Sequence, residues 1–125
     1  MRIFKTRLFS RWANSEGLAD SALIVAVNEI TDGLADAKLG GNVYKKRISL
    51  LGRGKRDGAR TLLTYRVNDK TFFLYGFAKN SRANISDKEL KALKLLATEL
   101  LGYSSPTLKK AIQAGELIEV TNHDK

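Results

Sequence analysis

Basic residues are concentrated between Val43 and Arg60, in the segment VYKKRISLLGRGKRDGAR. Three glycines lie in the second half of this segment, where a backbone without side chains can approach a ligand closely. Lysine and arginine beside such a loop can both meet phosphate oxygens. One anion, Asp57, stands against seven cations, a net +6 of the protein's +9: Lys45, Lys46, Arg47, Arg53, Lys55, Arg56 and Arg60. The pattern predicts a site for a polyanion, and nucleic acid is the expected ligand.

The composition excludes several kinds of catalytic site. The 125 residues contain no cysteine, which rules out disulfides, thiolate metal sites and a cysteine nucleophile. The one histidine, His123, lies in the polar tail TNHDK, where disorder is more common than catalysis. Any catalysis must therefore work without a histidine triad or a histidine-built metal site.

Length and hydropathy favour one domain covering residues 1–125, with an ordinary core built from the 43% of apolar residues. No apolar run approaches the roughly 18 residues of a membrane span. The start, MRIFKTRLFSRW, has no apolar stretch of signal-peptide type. Together with the lack of cysteine, these features lead us to expect a cytoplasmic protein with no membrane partner.

Hydrophobic spacing predicts two helices in the N-terminal third. Residues 2–5 are expected to form a short strand that leads into a helix capped by Thr6. A second helix is predicted over 19–32, with its end at Gly33. The LGG sequence at 39–41 predicts a turn.

The middle of the chain predicts three strands, at 43–50, 60–67 and 70–79. The tight connection Asn68-Asp69 favours a hairpin between the last two. Lys45 and Arg47 are two positions apart on the first strand, so their side chains are expected on the same face.

The C-terminal third predicts a long helix over 85–101, in which Ser86 and Glu89 fit a capping box. A short helix beginning at Ser105-Pro106 and a strand at 117–120 follow. The element order is typical of an α+β fold. We expect a small, mostly antiparallel sheet of about four to five strands packed against the two N-terminal helices, with further helices at the C-terminus.

These residues, in this order, resemble the RelE/HigB-like toxins of bacterial type II toxin–antitoxin systems, in the RelE/ParE superfamily. The likeness is greatest to the HigB-like branch and extends from about residue 10 to residue 120. It rests on the ordered combination of KKR, GxGKxxGxR and FAKNxRxNI, in three strings: DAKLGGNVYKKRI (36–48), GRGKRDGARTLL (52–63) and FFLYGFAKNSRANIS (72–86). Asp57 departs from the pattern, because relatives usually carry a small residue there.

The resemblance implies an mRNA endonuclease that works on the ribosome without metal or cofactor, and a RelE-like fold. The nucleophile would be the 2′-OH of the RNA, with protein groups to deprotonate it, to stabilise the phosphoryl charge and to protonate the leaving oxygen. In a crowded cationic pocket a lysine can supply the base, and arginine offers a planar fork to phosphate.

Motif position then implies a role for each candidate residue. Arg60 matches the phosphate-stabilising arginine of the family, and Lys79 and Asn80 match the segment that closes the active site. We expect Lys79 to act as general base or acid, although the strand lysines are alternatives. The expected ligands of the RNA backbone are Lys45, Arg47, Arg53, Lys55, Arg56 and Arg82. Tyr65 and Tyr75 could stack on bases, although half-buried core positions are more common for strand tyrosines.

The same resemblance implies the partners: mRNA, the ribosome and a cognate antitoxin, expected to be a small helix-turn-helix protein through which alone operator DNA is bound. Two other functions compete. A ParE-like toxin would inhibit DNA gyrase without nuclease activity, and a non-catalytic module would bind nucleic acid without cutting it. The cationic set formed by Lys45, Arg47, Arg60 and Lys79 favours the nuclease, since a gyrase inhibitor needs no such cluster.

Overall fold

The computed structural model describes residues 1–34, 36–50 and 58–121. Strands and helices follow one another in these ranges as β1 (Arg2–Thr6), α1 (Arg7–Ser15), α2 (Asp20–Thr31), β2 (Ala37–Gly40), β3 (Val43–Ile48), β4 (Ala59–Val67), β5 (Lys70–Ala78), α3 (Asp87–Leu101), α4 (Ser105–Gln113) and β6 (Leu117–Glu119). The α+β class is therefore confirmed. Among the described helices, none is long and apolar enough to cross a membrane.

The described strands form one mixed sheet in the order β2-β3-β4-β5-β1-β6. The pair β1 and β5 runs parallel, and the other neighbours run antiparallel. The prediction of a mostly antiparallel sheet is thus confirmed, but the sheet has six strands in the described chain rather than four to five.

The additional strand is β2, which includes part of the predicted turn at 39–41. The chain instead reverses at Gly41 and Asn42, whose φ angles of 58° and 65° lie in the left-handed region. Gly40 consequently pairs with Val43 across a two-residue connection. The strand was missed because a four-residue edge strand carries too little apolar alternation to distinguish it from a loop.

Local signals in the sequence set several element boundaries. The Thr6 hydroxyl caps α1 by accepting a hydrogen bond from the Phe9 amide at 3.1 Å. Ser86 and Glu89 form the predicted capping box at the start of α3. Asn68 and Asp69 have φ angles of 52° and 60°, as a tight turn with two left-handed residues requires, and the predicted hairpin of β4 and β5 is present.

Helices cover both faces of the sheet, so two apolar cores form. On one face α1 and α2 pack on the sheet through the residues Phe9, Leu23, Val27, Leu63 and Phe73. On the other, α3 and α4 pack through Phe4, Leu62, Phe72, Leu100 and Leu108. We call these the α1–α2 face and the α3–α4 face. Because helices cover both faces, β4 and β5 are buried along most of their length, and they supply a rigid base for polar groups at their ends.

Candidate functional site

A row of cationic and aromatic side chains crosses three strands on the α3–α4 face. Arg47 of β3 lies opposite Arg60 of β4, and Arg60 lies opposite Phe77 of β5. Directly opposite residues of antiparallel strands project to the same face. Lys45 is two positions from Arg47 and lies opposite Leu62, so it belongs to the next row on that face. The spacing of Lys45 and Arg47 had predicted this shared face.

Arg60 and Arg47 differ in their exposure to water. Arg60 has an exposed fraction of 6%, whereas Arg47 lies on the surface. A buried guanidinium interacts strongly with a nearby negative charge, because little water screens it. Asp36 lies beside Arg47 and accepts its backbone amide at 2.6 Å, with a side-chain ion pair at 3.8 Å. The row thus contains one buried and one solvated cation, and each has a partner, since the Arg60 guanidinium donates to the Ala59 carbonyl at 3.5 Å and Arg47 pairs with Asp36.

Lys79 and Asn80 lie immediately after β5, at the same end of the sheet. The Lys79 amide donates to the Gly58 carbonyl at 3.0 Å, which extends the pairing of β4 and β5 by one residue. Lys79 is two positions beyond Phe77, the partner of Arg60, which is about 7 Å of strand. Both side chains are exposed. The structure therefore brings the backbone of Lys79 close to that of Arg60 and leaves the Lys79 side chain exposed to water.

Arg82 follows in the β5–α3 connection and is held by Glu89. Its guanidinium donates to both Glu89 carboxylate oxygens at 2.9 and 2.5 Å, and it lies 5.6 Å from the ring centre of Phe77. These bonds raise the pKa of Arg82. They also lower the pKa of Glu89 to about 2, with a further contribution from the Ser86 amide. Arg82 meets a carboxylate in this structure, and phosphate binding by Arg82 stays a prediction.

Asn84 links Arg82 to Lys45. Its carbonyl oxygen accepts from Arg82 Nε at 3.0 Å, and its side-chain oxygen is 3.5 Å from Lys45 Nζ. Neither Asn84 nor the pairing of Glu89 with Arg82 was predicted. The capping-box motif had identified Glu89 as a helix-start residue, but its second partner lies seven residues away, outside any local pattern.

Lys46 lies on the opposite face from its two basic neighbours. Its ammonium group is 2.9 Å from a Glu29 oxygen and 3.0 Å from the Leu34 carbonyl, and its side chain is 3% exposed. Lys46 therefore stabilises the packing of α2 against β3. In the basic run KKR, Lys45 and Arg47 therefore face the candidate site, whereas Lys46 stabilises the fold.

The two candidate tyrosines also lie on different faces. Tyr75 is opposite Leu62, half-buried, with its hydroxyl 3.5 Å from Arg82. Tyr65 packs with the α1–α2 core, and its hydroxyl is 2.6 Å from that of Thr31. The structure brings Tyr75 to the cationic row and places Tyr65 away from it.

Three predicted phosphate ligands, Arg53, Lys55 and Arg56, lie outside the described residues, as do Asp57 and His123. Within residues 1–34, 36–50 and 58–121, no three histidine, cysteine or carboxylate side chains are grouped to hold a metal ion. The described part of the site accordingly consists of Lys45, Arg47, Arg60, Tyr75, Lys79, Asn80 and Arg82.

A small α+β fold with a cationic row at one end of its sheet fits the class of toxins found in toxin–antitoxin modules. The family model described as the RelE toxin of the RelE/RelB toxin–antitoxin system matches residues 1–120. The chain belongs to this family. It is thus the toxin of such a module, and its partner is a cognate antitoxin. Members of this family are generally mRNA-cleaving toxins. No curated protein sequence matches the chain. The HigB-like branch stays a prediction.

Proposed function

We propose that this toxin is an endoribonuclease that cuts mRNA on the translating ribosome. The observation that carries the proposal is the row formed by Arg47, Arg60 and Phe77, with Lys79 just beyond it. A phosphodiester laid across this row would meet cations from β3 and β4 and the lysine that follows β5. A protein-binding toxin without nuclease activity has no need of a buried arginine at this position.

The reaction would use the 2′-OH of the nucleotide on the 5′ side of the cut. This oxygen loses its proton, forms a bond to the adjacent phosphorus, and the bond from phosphorus to the 5′-oxygen breaks. The leaving 5′-oxygen takes up a proton, so the products are a 2′,3′-cyclic phosphate and a 5′-hydroxyl. Extra negative charge develops on the phosphoryl oxygens in the transition state, and preorganised cations stabilise it.

We assign that stabilising role to Arg60, since a sheltered guanidinium needs little reorganisation to meet developing charge. Lys79 is exposed and would exchange protons with the 2′-oxygen or the 5′-oxygen. Asn80 would orient the RNA by hydrogen bonding. Lys45 and Arg47 would hold the backbone, as would Arg53, Lys55 and Arg56, and Tyr75 would contact a base. Arg82 would bind phosphate only if its hydrogen bonds to Glu89 were broken and replaced by hydrogen bonds to the phosphate.

The partners follow from this activity. Ribosome-bound mRNA places the toxin in the cytoplasm. We propose that the antitoxin is a small helix-turn-helix protein and that the toxin meets operator DNA only through it. Residues 1–125 would act as one domain.

The test is induction of the toxin in a bacterium, followed by mapping of mRNA 5′ ends. We expect cuts inside translated frames, absent in Lys79→Ala and in Arg60→Lys. The second variant keeps the buried charge while removing the planar fork. Lys88→Ala is the matched control, because Lys88 is also an exposed lysine and lies outside the site. Growth arrest without cuts would overturn the nuclease and direct attention to gyrase.

A second measurement tests the chemistry. Purified toxin, ribosomes and a defined mRNA should yield fragments ending in a 2′,3′-cyclic phosphate. A single 2′-deoxy substitution at the cut position should abolish cleavage there. Undiminished cleavage of that substituted mRNA would exclude attack by the 2′-oxygen.

A further inference from the structure

A cavity of about 670 Å³ lies at the other end of the sheet from the candidate site. The turn at Asn68 and Asp69 forms one wall, and α4 forms the opposite wall. Its size falls within the range of about 300–1,000 Å³ that is usual for small-molecule sites. No residue of the cationic row lines it, so it is a separate feature of the described chain.

Two unpaired lysines determine the charge of this cavity. Arg2, at its edge, is neutralised by two hydrogen bonds of 2.9 Å to Glu119. Asp69 lies 3.7 Å from the amino group of Met1. Lys70 and Lys109 have no ion-pair partner anywhere in the ranges that the structure describes. The cavity therefore carries about two uncompensated positive charges, one from β5 and one from α4.

The floor of the cavity is apolar. Leu108 and Ile112 are four residues apart on α4 and lie on the same side of the helix. Leu108 is buried and Ile112 is half-buried, and both side chains line the cavity, so its floor is aliphatic. A ligand that fits this lining combines a weakly polar body with an anionic group.

We infer that this cavity binds a nucleotide unit of an RNA chain, with the phosphate on Lys70 and Lys109 and the base on Leu108 and Ile112. An acidic peptide would satisfy the lysines, but its carboxylates would gain nothing from the aliphatic floor. Phe77 of the cationic row and Lys70 are seven residues apart on β5, or about 23 Å of strand. RNA extending from the candidate site could reach the cavity, and this extension rests on the proposed function.

The first experiment follows backbone amide signals of the full ¹⁵N-labelled chain by NMR during titration with adenosine 5′-monophosphate. We expect saturable shifts at residues 68–70 and 105–113. Adenosine, which lacks the phosphate, should shift these amides less at equal concentration, and inorganic phosphate should act mainly near Lys70 and Lys109. Lys70→Ala/Lys109→Ala should abolish the response, whereas Lys88→Ala/Lys91→Ala, with the same change in charge, should retain it. Absence of saturable shifts, or an unchanged response in the first double variant, would overturn the inference.

The second experiment measures RNA binding as a function of salt with a single-stranded oligonucleotide that carries 2′-deoxy groups and resists cleavage. Each phosphate contact to a single strand contributes about 0.7 to the slope of log K against log salt. Lys70→Ala/Lys109→Ala removes the contact to one phosphate and should therefore reduce the slope by about 0.7 relative to Lys88→Ala/Lys91→Ala. Equal slopes would refute the RNA contact.

Since the slopes report binding alone, loss of cleavage in Lys79→Ala tests the proposed function independently. An aspartate-rich peptide that shifts residues 105–113 when the nucleotide does not would identify an acidic protein as the occupant and overturn the inference.

Discussion

Replacement of Lys45 or Lys46 by alanine is expected to have opposite consequences, although the two residues are adjacent. Lys46 is 3% exposed and its ammonium group contacts Glu29 and the Leu34 carbonyl on the α1–α2 face. Lys45 lies on the α3–α4 face, half-buried, with a 3.5 Å contact to Asn84. Lys46→Ala should therefore lower stability, and Lys45→Ala should lower RNA cleavage.

The size of the stability loss follows from the surroundings of Lys46. Removal of one partner from a buried ion pair costs about 3–5 kcal/mol. The side chains of Glu29 and Asp36 are 25% and 27% exposed, so water compensates part of that loss. We therefore expect about 2 kcal/mol, which for a chain of this length lowers Tm by about 6–10 °C. Lys45→Ala should change stability by less than about 0.5 kcal/mol and reduce cleavage about tenfold, because a charge-assisted contact to phosphate is lost.

The assay is urea unfolding followed by circular dichroism, together with cleavage of a defined mRNA on ribosomes at a temperature where all variants are folded. Lys46→Met is the control. It keeps an apolar side chain and removes only the charge, so it separates the loss of the ion pair from the loss of side-chain packing. Equal loss of stability in Lys45→Ala and Lys46→Ala would refute the division of the KKR run between the two faces. A cleavage defect in folded Lys46→Ala as large as that in Lys45→Ala would refute it equally.

Three further changes test other parts of the structure. Gly76→Ala should cost about 1–3 kcal/mol in urea unfolding, because an added Cβ would lie 2.3 Å from Trp12 Cζ3; a loss below about 0.5 kcal/mol would contradict the close packing. Glu89 has a folded-state pKa of about 2 beside Arg82, below an unfolded value of about 4.3. Its contribution should be present above about pH 5 and disappear as the pH falls towards 2, so the wild type should lose more stability than Glu89→Gln across this window, and parallel losses would argue against the ion pair. Ser86→Ala should cost about 1 kcal/mol through loss of the α3 cap, and unchanged unfolding would show that the capping box is dispensable.

Features that depend on neighbouring residues were predictable from the sequence. A hydroxyl three residues before an amide caps a helix without outside help, so Thr6 and Ser86 mark the starts of α1 and α3. Two residues that tolerate positive φ close a hairpin, as Asn68 and Asp69 do. The alternation of a strand likewise places Lys45 and Arg47 on one face. The single domain over 1–125 stays a prediction.

Tertiary structure alone decided which face of each strand belongs to the site. Lys45 and Lys46 are chemically identical, and Lys46 became structural because α2 brings Glu29 over its face of β3. Tyr65 and Tyr75 look alike in the sequence, but the register shift between Leu62 and Leu63 and the packing of four helices place them on opposite sides. The parallel pairing of β1 with β5 joins residues about seventy positions apart. Contacts at such separations depend on how whole elements pack, so the types of the neighbouring residues do not predict them.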